Sequence, residues 1–299
     1  MIIDMHSHVA GGFSEKWVRE WIEDTHFGCM PTWFGDGKSS WSAEDFRKFW
    51  ADEYCADMEE QGIEKVVTWG IVMHPYGCHS TVEEVADVVK RHPDRIIPFH
   101  CGDPLGGADA VADLDRAVKH FGFKGMKVFP SYNWLYPDDE RIFPLYEKCA
   151  ELNIPAVVHT GFTFNHGAYL KYHHPADLDA VCAKYPELTV IAAHFGFQWV
   201  EEAMTLMFKY RNLHADLAWF LLYPIDWVAR SFAWAKHFHL IDRIMFGSDY
   251  PLTDGRNDGI VQLRKVAAYQ ERHELIPCLT EDDIIAIMGG NAKRLLGLD

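Results

Sequence analysis

The sequence predicts a (β/α)8 TIM barrel, an α/β fold of eight parallel strands, with an aromatic-rich insertion after the first strand. Three observations carry this. Short apolar runs ending in polar or glycine residues recur eight times, and amphipathic, helix-like segments separate most of them. From the second run onward the repeat averages about 30 residues, as expected for the βα units of a closed barrel. The chain has 299 residues, enough for a barrel of roughly 250 residues and one sizeable insertion. One domain over residues 1–299 is expected.

The strand-like runs, in order, are Met1–His8 (MIIDMHSH), Lys65–Ile71 (KVVTWGI), Arg95–Cys101 (RIIPFHC) and Lys124–Phe129 (KGMKVF). Then follow Pro155–Thr160 (PAVVHT), Thr189–His194 (TVIAAH), Asn212–Leu217 (NLHADL) and Arg243–Asp249 (RIMFGSD). Thr81–Arg91 and Asp138–Leu152 are typical of the helical segments between them. Alternation of this kind favours a parallel sheet. An open doubly wound sheet would share the rhythm, but no GxGxxG or GxxxxGK[ST] follows the first strand.

One segment breaks the rhythm. Gly11–Tyr54 (11–54) carries Trp17, Trp21, Trp33, Trp41 and Trp50 together with Phe13, Phe27, Phe34 and Phe46. An insertion that leaves the first strand at this end of a barrel stands over the mouth. Its rings either form an aromatic lid or bury a small core or subunit contact of their own.

Composition narrows the partners. Hydrophobic residues make up 48% of the chain, ample for one large core, and the net charge is −16 with His neutral. A field of that sign repels phosphate backbones and anionic lipid, so neither nucleic acid nor a membrane is expected as a partner. A small-molecule substrate and a homodimer are expected instead. Seven cysteines without a CxxC pair read as free thiols in a reducing compartment. The chain opens on a β-like run without a basic leader and contains no apolar stretch of about 18 residues, which points to the cytoplasm.

In a strand, residues i and i+2 share a face, so His6 and His8 project together into the barrel. Two imidazoles held this way make half of a zinc- or manganese-type site. His237 and His239 have the same spelling but fall on a helical segment, where i and i+2 diverge by about 200°. His159 (VVHTG), His194 (AAHFG) and Asp249 (FGSDYP) are the final polar residues of three further runs. Barrel enzymes place their chemistry at such strand ends. Any one of these histidines alone reads as a satisfied core residue; the convergence of four strand ends is what makes a site.

These motifs together resemble the amidohydrolase superfamily, in the branch that includes aminocarboxymuconate semialdehyde decarboxylase and related aromatic-acid decarboxylases and hydrolases. The resemblance runs from DMHSH through GFKGMKVFP, VVHTG, AAHFG and FGSDYP to GNAKRLLGL. It implies that His6, His8, His159 and Asp249 bind one divalent metal ion, zinc first and manganese as the alternative. It also implies that His194 acts beside the metal as acid, base or carbonyl polariser. Such a metal lowers the pKa of bound water toward ~7; Asp249 would then accept the water proton while His194 meets the developing oxyanion or the leaving group.

Lys127 ends the fourth run and is expected to face inward with Gly125 and Phe129. In some members of the superfamily a carbamylated lysine there bridges two metals, with His194 on the second. The alternatives are a substrate contact or a structural lysine. Arg141 and Tyr132, near the fourth loop, are candidates to hold a substrate carboxylate. His74, His79 and His100 are expected in supporting or surface roles, and Asp216 and Trp219 in local packing or hydrogen bonding.

The function expected first is hydrolysis of a cyclic or aromatic lactone, amide or ester by metal-activated water. The alternative is non-oxidative decarboxylation of an aromatic or muconate-type acid at the same metal site. A barrel that only binds is the third reading, opposed by the intact ligand set.

Overall fold

The computed structural model describes residues 1–19, 51–161, 163, 165, 167–252 and 259–298. Trp21, Trp33, Trp41, Trp50, Phe27, Phe34 and Phe46 of the insertion lie outside these.

Eight parallel strands form one sheet in the order β1 (Ile2–Ser7), β2 (Ile63–Trp69), β5 (Ile96–Cys101), β6 (Met126–Val128), β7 (Ala156–Val158), β8 (Val190–Ala192), β9 (Leu213–Asp216) and β10 (Ile244–Met245). A small antiparallel hairpin, β3 (Val72–Met73) and β4 (Cys78–His79), rises from the end of β2. The barrel closes through β1, where the Met5 amide donates to the Phe246 carbonyl at 2.9 Å and the Asp249 amide to the His6 carbonyl at 2.7 Å.

Alternation along the strands sorts the core into two layers. Val67, Trp69, Ile97, Phe99, Val157, Ile191 and Met245 fill the barrel interior. Their neighbours Val66, Ile96, Met126, Val128, Ala156, Val158, Val190 and Ala192 pack outward beneath the helices. Lys127 sits between two outward residues, so it points inward, as its position in the fourth run predicts.

The helices have local reasons to form. Val82–Arg91 starts at a capping box between Thr81 and Glu84 and buries Val82, Val85, Ala86 and Val88 against the barrel. Gly107–Phe121 buries Ala110, Leu114 and Ala117 and stops at Gly122, whose φ of 74° is left-handed. No described helix is long and apolar enough to cross a membrane.

The last strands are shorter than the apolar runs suggest. His159 follows β7 directly, His194 lies two residues past β8, and Asp249 lies four past β10. His194 and Asp249 both have left-handed backbones, at φ 64° and 62°. A ladder cannot continue through such residues, so the runs leave the sheet at the functional positions.

Candidate metal centre

At the C-terminal mouth, His6, His8 and Asp249 place their donor atoms within 4.8 Å of one another, and so do His6, His194 and Asp216. All are buried. Asp249 Oδ1 lies 3.0 Å from Nε2 of His6 and 3.2 Å from Nε2 of His8. His159 belongs to neither group, but it lines the same cavity as His8, His194 and Asp249.

Hydrogen-bond partners settle the tautomers. The His6 Nδ1–H donates to Asp216 Oδ2 at 2.9 Å, which turns Nε2 toward Asp249 Oδ1, 3.0 Å away. The Ala218 carbonyl can only accept, so His194 Nδ1, 3.1 Å away, carries the proton. His194 Nε2 then accepts from His159 Nδ1 at 3.3 Å, and Nε2 of His159 is the remaining lone pair. Among the described residues, His6 Nε2, His159 Nε2, His8 Nδ1 and Asp249 Oδ1 are buried without a hydrogen bond. Nε2 of His6 and Nε2 of His8 both face Asp249 Oδ1, at 3.0 and 3.2 Å, a close buried set of donors that a cation would hold together. The donor set of nitrogens and one carboxylate suits zinc or manganese.

Charge follows the same pattern. Burial opposes protonation of His6, yet Asp216 and Asp249 outweigh it and raise its pKa. Burial, with neighbouring positive charge, lowers His159 far below the ordinary range and His194 to about 3. Burial works to raise Asp249 and Asp216, but His6 holds both carboxyls down, Asp216 at about 2. Lys127 is fully buried, with Nζ 4.7 Å above the Trp69 ring and 4.9 Å from that of Phe129. Burial lowers its pKa to about 8.

Above this floor opens a narrow cavity. Phe13, Trp17, Phe129, Tyr132, Phe197 and Trp219 form most of its wall, with Met73 and Leu252. Phe13 and Trp17 stack at 4.3 Å between ring centres, so the first described part of the insertion does reach the pocket. The Tyr132 hydroxyl donates to Thr163.

Three expectations need correcting or widening. Arg141 is exposed and paired with Asp139 at 2.8 Å, outside the pocket; it lies in the turn that precedes the Phe143–Glu151 helix. Asp216 does hydrogen-bond locally, accepting from the Ala218 amide at 3.1 Å, but it also reaches across to His6 and accepts from the His194 amide at 3.0 Å. Trp219 likewise forms pocket wall, thrown forward by a left-handed φ of 64°. Asp216 was discoverable, being a polar residue that ends an apolar run as His159 does. Trp219 and Phe197 carry no such signal. His79 and His100 line a separate cavity, and His74 pairs with Asp103 at 2.7 Å at its edge.

An eight-stranded barrel with a buried His and Asp cluster at its C-terminal mouth has a site able to hold a metal ion. The model of the Amidohydrolase family matches residues 3–298, and the chain belongs to that family. A 2-amino-3-carboxymuconate-6-semialdehyde decarboxylase from Dictyostelium discoideum is 22% identical over 183 residues, 52% of this chain and 48% of the relative, so the match spans about half the length of that protein. An uncharacterised TIM-barrel protein from Bordetella bronchiseptica superimposes with a TM-score of 0.73 at 24% identity, covering 99% of this chain and 98% of the other. The 5-carboxyvanillate decarboxylase of Novosphingobium aromaticivorans, complexed with manganese, gives 0.64 at 16% identity over 100% and 96%. A probable 2-pyrone-4,6-dicarboxylic acid hydrolase from Acinetobacter baumannii gives 0.62 at 14% identity over 99% of each chain.

Proposed function

We propose that this enzyme is a metal-dependent carboxy-lyase that releases CO2 from an aromatic or muconate-type carboxylic acid. The observation that carries the reading is the pocket wall. Phe13, Trp17, Phe129, Tyr132, Phe197 and Trp219 surround a floor of His8, His159, His194 and Asp249. A planar ring stacks well against such walls. A carboxylate drawn to the floor loses its water, and its charge spreads into the ring as the C–C bond breaks. Apolar walls favour that dispersal over the localised starting charge.

In this reading His6, His8, His159 and Asp249 hold one divalent ion, zinc or manganese. When bound, that ion would grip the carboxylate or polarise a carbonyl. The carbon left after CO2 loss needs a proton, and His194 and Asp249 are the floor groups able to carry one. Asp216 orients His6, and Lys127 stays an unmodified interior amine.

Hydrolysis of a lactone, amide or ester is the second reading. It is favoured by the placement of Asp249 on the cavity floor beside His8 and His194, where it could serve as base toward a water. The free thiols of the six described cysteines fit a reducing compartment, hence the cytoplasm. A single domain over 1–299 and a homodimer complete the reading.

The test is a panel of aromatic acids and cyclic lactones, with CO2 and ring opening monitored separately. Release of CO2 from an aromatic acid is the expected result. Ring opening without CO2 would overturn the lyase reading in favour of hydrolysis.

A further inference from the structure

Strand β1 is irregular where it carries the histidines. Asp4 faces Val66 and Ser7 faces Thr68, so three steps on β1 answer two on β2. A bulge of this kind re-aims side chains. Met5 belongs to the interior cluster, yet the ring of His6, the next residue, also turns inward and lies 4.6 Å from that of Trp69. The other edge of β1 is irregular too. Met5 pairs with Phe246 and His6 with Asp249, so one step on β1 spans three beyond β10. Gly247 and Ser248 are the surplus, and a Cβ on Gly247 would come within 2.8 Å of that of His6.

Two irregularities at one place strip the backbone of ladder hydrogen bonds, and the Asp4 carboxylate replaces them. Its Oδ1 accepts from the His6 amide at 3.0 Å and from the Ser248 amide at 2.8 Å. Its Oδ2 accepts from the Ser248 hydroxyl at 2.5 Å and from the Tyr54 hydroxyl. Asp4 is wholly buried, and Tyr54 stacks on Tyr250 with ring centres 4.3 Å apart. One carboxylate thus binds the backbone of His6 and that of the residue preceding Asp249.

We infer that Asp4 is a positioning residue of the metal centre: braced by Tyr54 and Ser248, it sets the spacing between His6 and Asp249. The inference rests on the reading of those two residues as metal ligands. A bulge and a left-handed Asp249 are costly conformations, and a carboxylate with four donors is what holds them together.

The test uses full-length protein stripped of metal and titrated with Zn²⁺ against a competing chelator. Co²⁺ absorption spectra and thermal melts of each metal-free variant accompany the titration. Supporting groups around metal ligands commonly contribute 10–100-fold in affinity, so Asp4→Ala should lose about 100-fold and Tyr54→Phe and Ser248→Ala about tenfold each. The Co²⁺ spectrum should shift in all three. Asp4→Asn should recover part of the affinity, because its Oδ1 can still accept from both amides. Asn291→Ala is the stability control, since Asn291 ties the Ile241 and Ile244 carbonyls at 2.7 Å each, away from the ligands. It should lower the melting temperature while keeping Zn²⁺ affinity within about twofold.

If Asp4→Ala does not fold, Tyr54→Phe and Ser248→Ala decide the matter. Wild-type affinity in those variants, or an affinity loss that tracks melting temperature equally in Asn291→Ala, overturns the inference. A wild-type protein that holds no Zn²⁺ overturns instead the metal reading beneath it.

Discussion

Asp216 accepts the Nδ1 proton of His6 at 2.9 Å, and this one bond decides which nitrogen of His6 faces Asp249. It fixes the tautomer, increases the basicity of Nε2 and holds the ring in place.

Replacing Asp216 therefore acts on the metal through His6. Asp216→Asn keeps the shape of the side chain but removes its charge, and metal affinity should fall about 10–100-fold. Chelator competition measures it. Unchanged affinity would show that the His6 tautomer does not matter.

On the proposed reading His194 is separable from the ligands. Its Nδ1 donates to Ala218 and its Nε2 accepts from His159, so a role in proton transfer or polarisation leaves metal content intact. His194→Asn should keep the metal and lose roughly 10²–10⁴-fold in kcat/KM. Loss of metal from that variant would make His194 a ligand and favour a two-metal centre with Lys127.

Pocket wall and surface charge make opposite predictions. Phe13→Ala removes a ring from the substrate wall and should raise KM; a ring of this kind contributes roughly 1–3 kcal/mol. Arg141→Ala removes an exposed residue paired with Asp139 and should leave kcat/KM unchanged. Steady-state kinetics on both variants check the contrast. A lower melting temperature with unaltered KM for Phe13→Ala would reduce that ring to packing.

Lys127 should cost stability at neutral pH. Burial lowers its pKa from 10.5 to about 8. Below pH 8 the amine is charged in both states and the folded state bears the full penalty. Between about pH 8 and 10.5 the unfolded chain binds more protons, so stability rises with pH. A shift of this size corresponds to about 3 kcal/mol. Lys127→Met should therefore stabilise the metal-free protein by up to that amount at pH 7, with the gain shrinking as pH climbs through that window. Denaturant melts across pH check it. A gain that does not vary with pH would contradict the assignment of a free amine.

Much of the architecture was legible because barrel strands alternate simply. Val66 and Val67, or Ile96 and Ile97, divide between the two faces as a period of two requires. His6, His8, His159 and Asp249 stood out as polar residues at or near the ends of apolar runs, although a bulge in β1 and a left-handed turn beyond β10, not simple alternation, aim His6 and Asp249. What escaped was set by backbone geometry that residue types do not announce. The left-handed turn of His194 through Phe197 and that at Trp219 carry rings into the pocket from outside any periodic pattern. Asp4 escaped because its partners Tyr54 and Ser248 lie 50 and 244 residues away. Arg141 was drawn in by sequence proximity to the fourth loop, whereas its charge is satisfied two residues back by Asp139.

The account stands most directly on the metal content of the purified protein, measured by elemental analysis in wild type and in the double variant His6→Ala/His8→Ala. It predicts about one divalent ion per chain in wild type, as a mononuclear site of four protein donors holds, and none in the variant. A double variant that keeps its metal would contradict it.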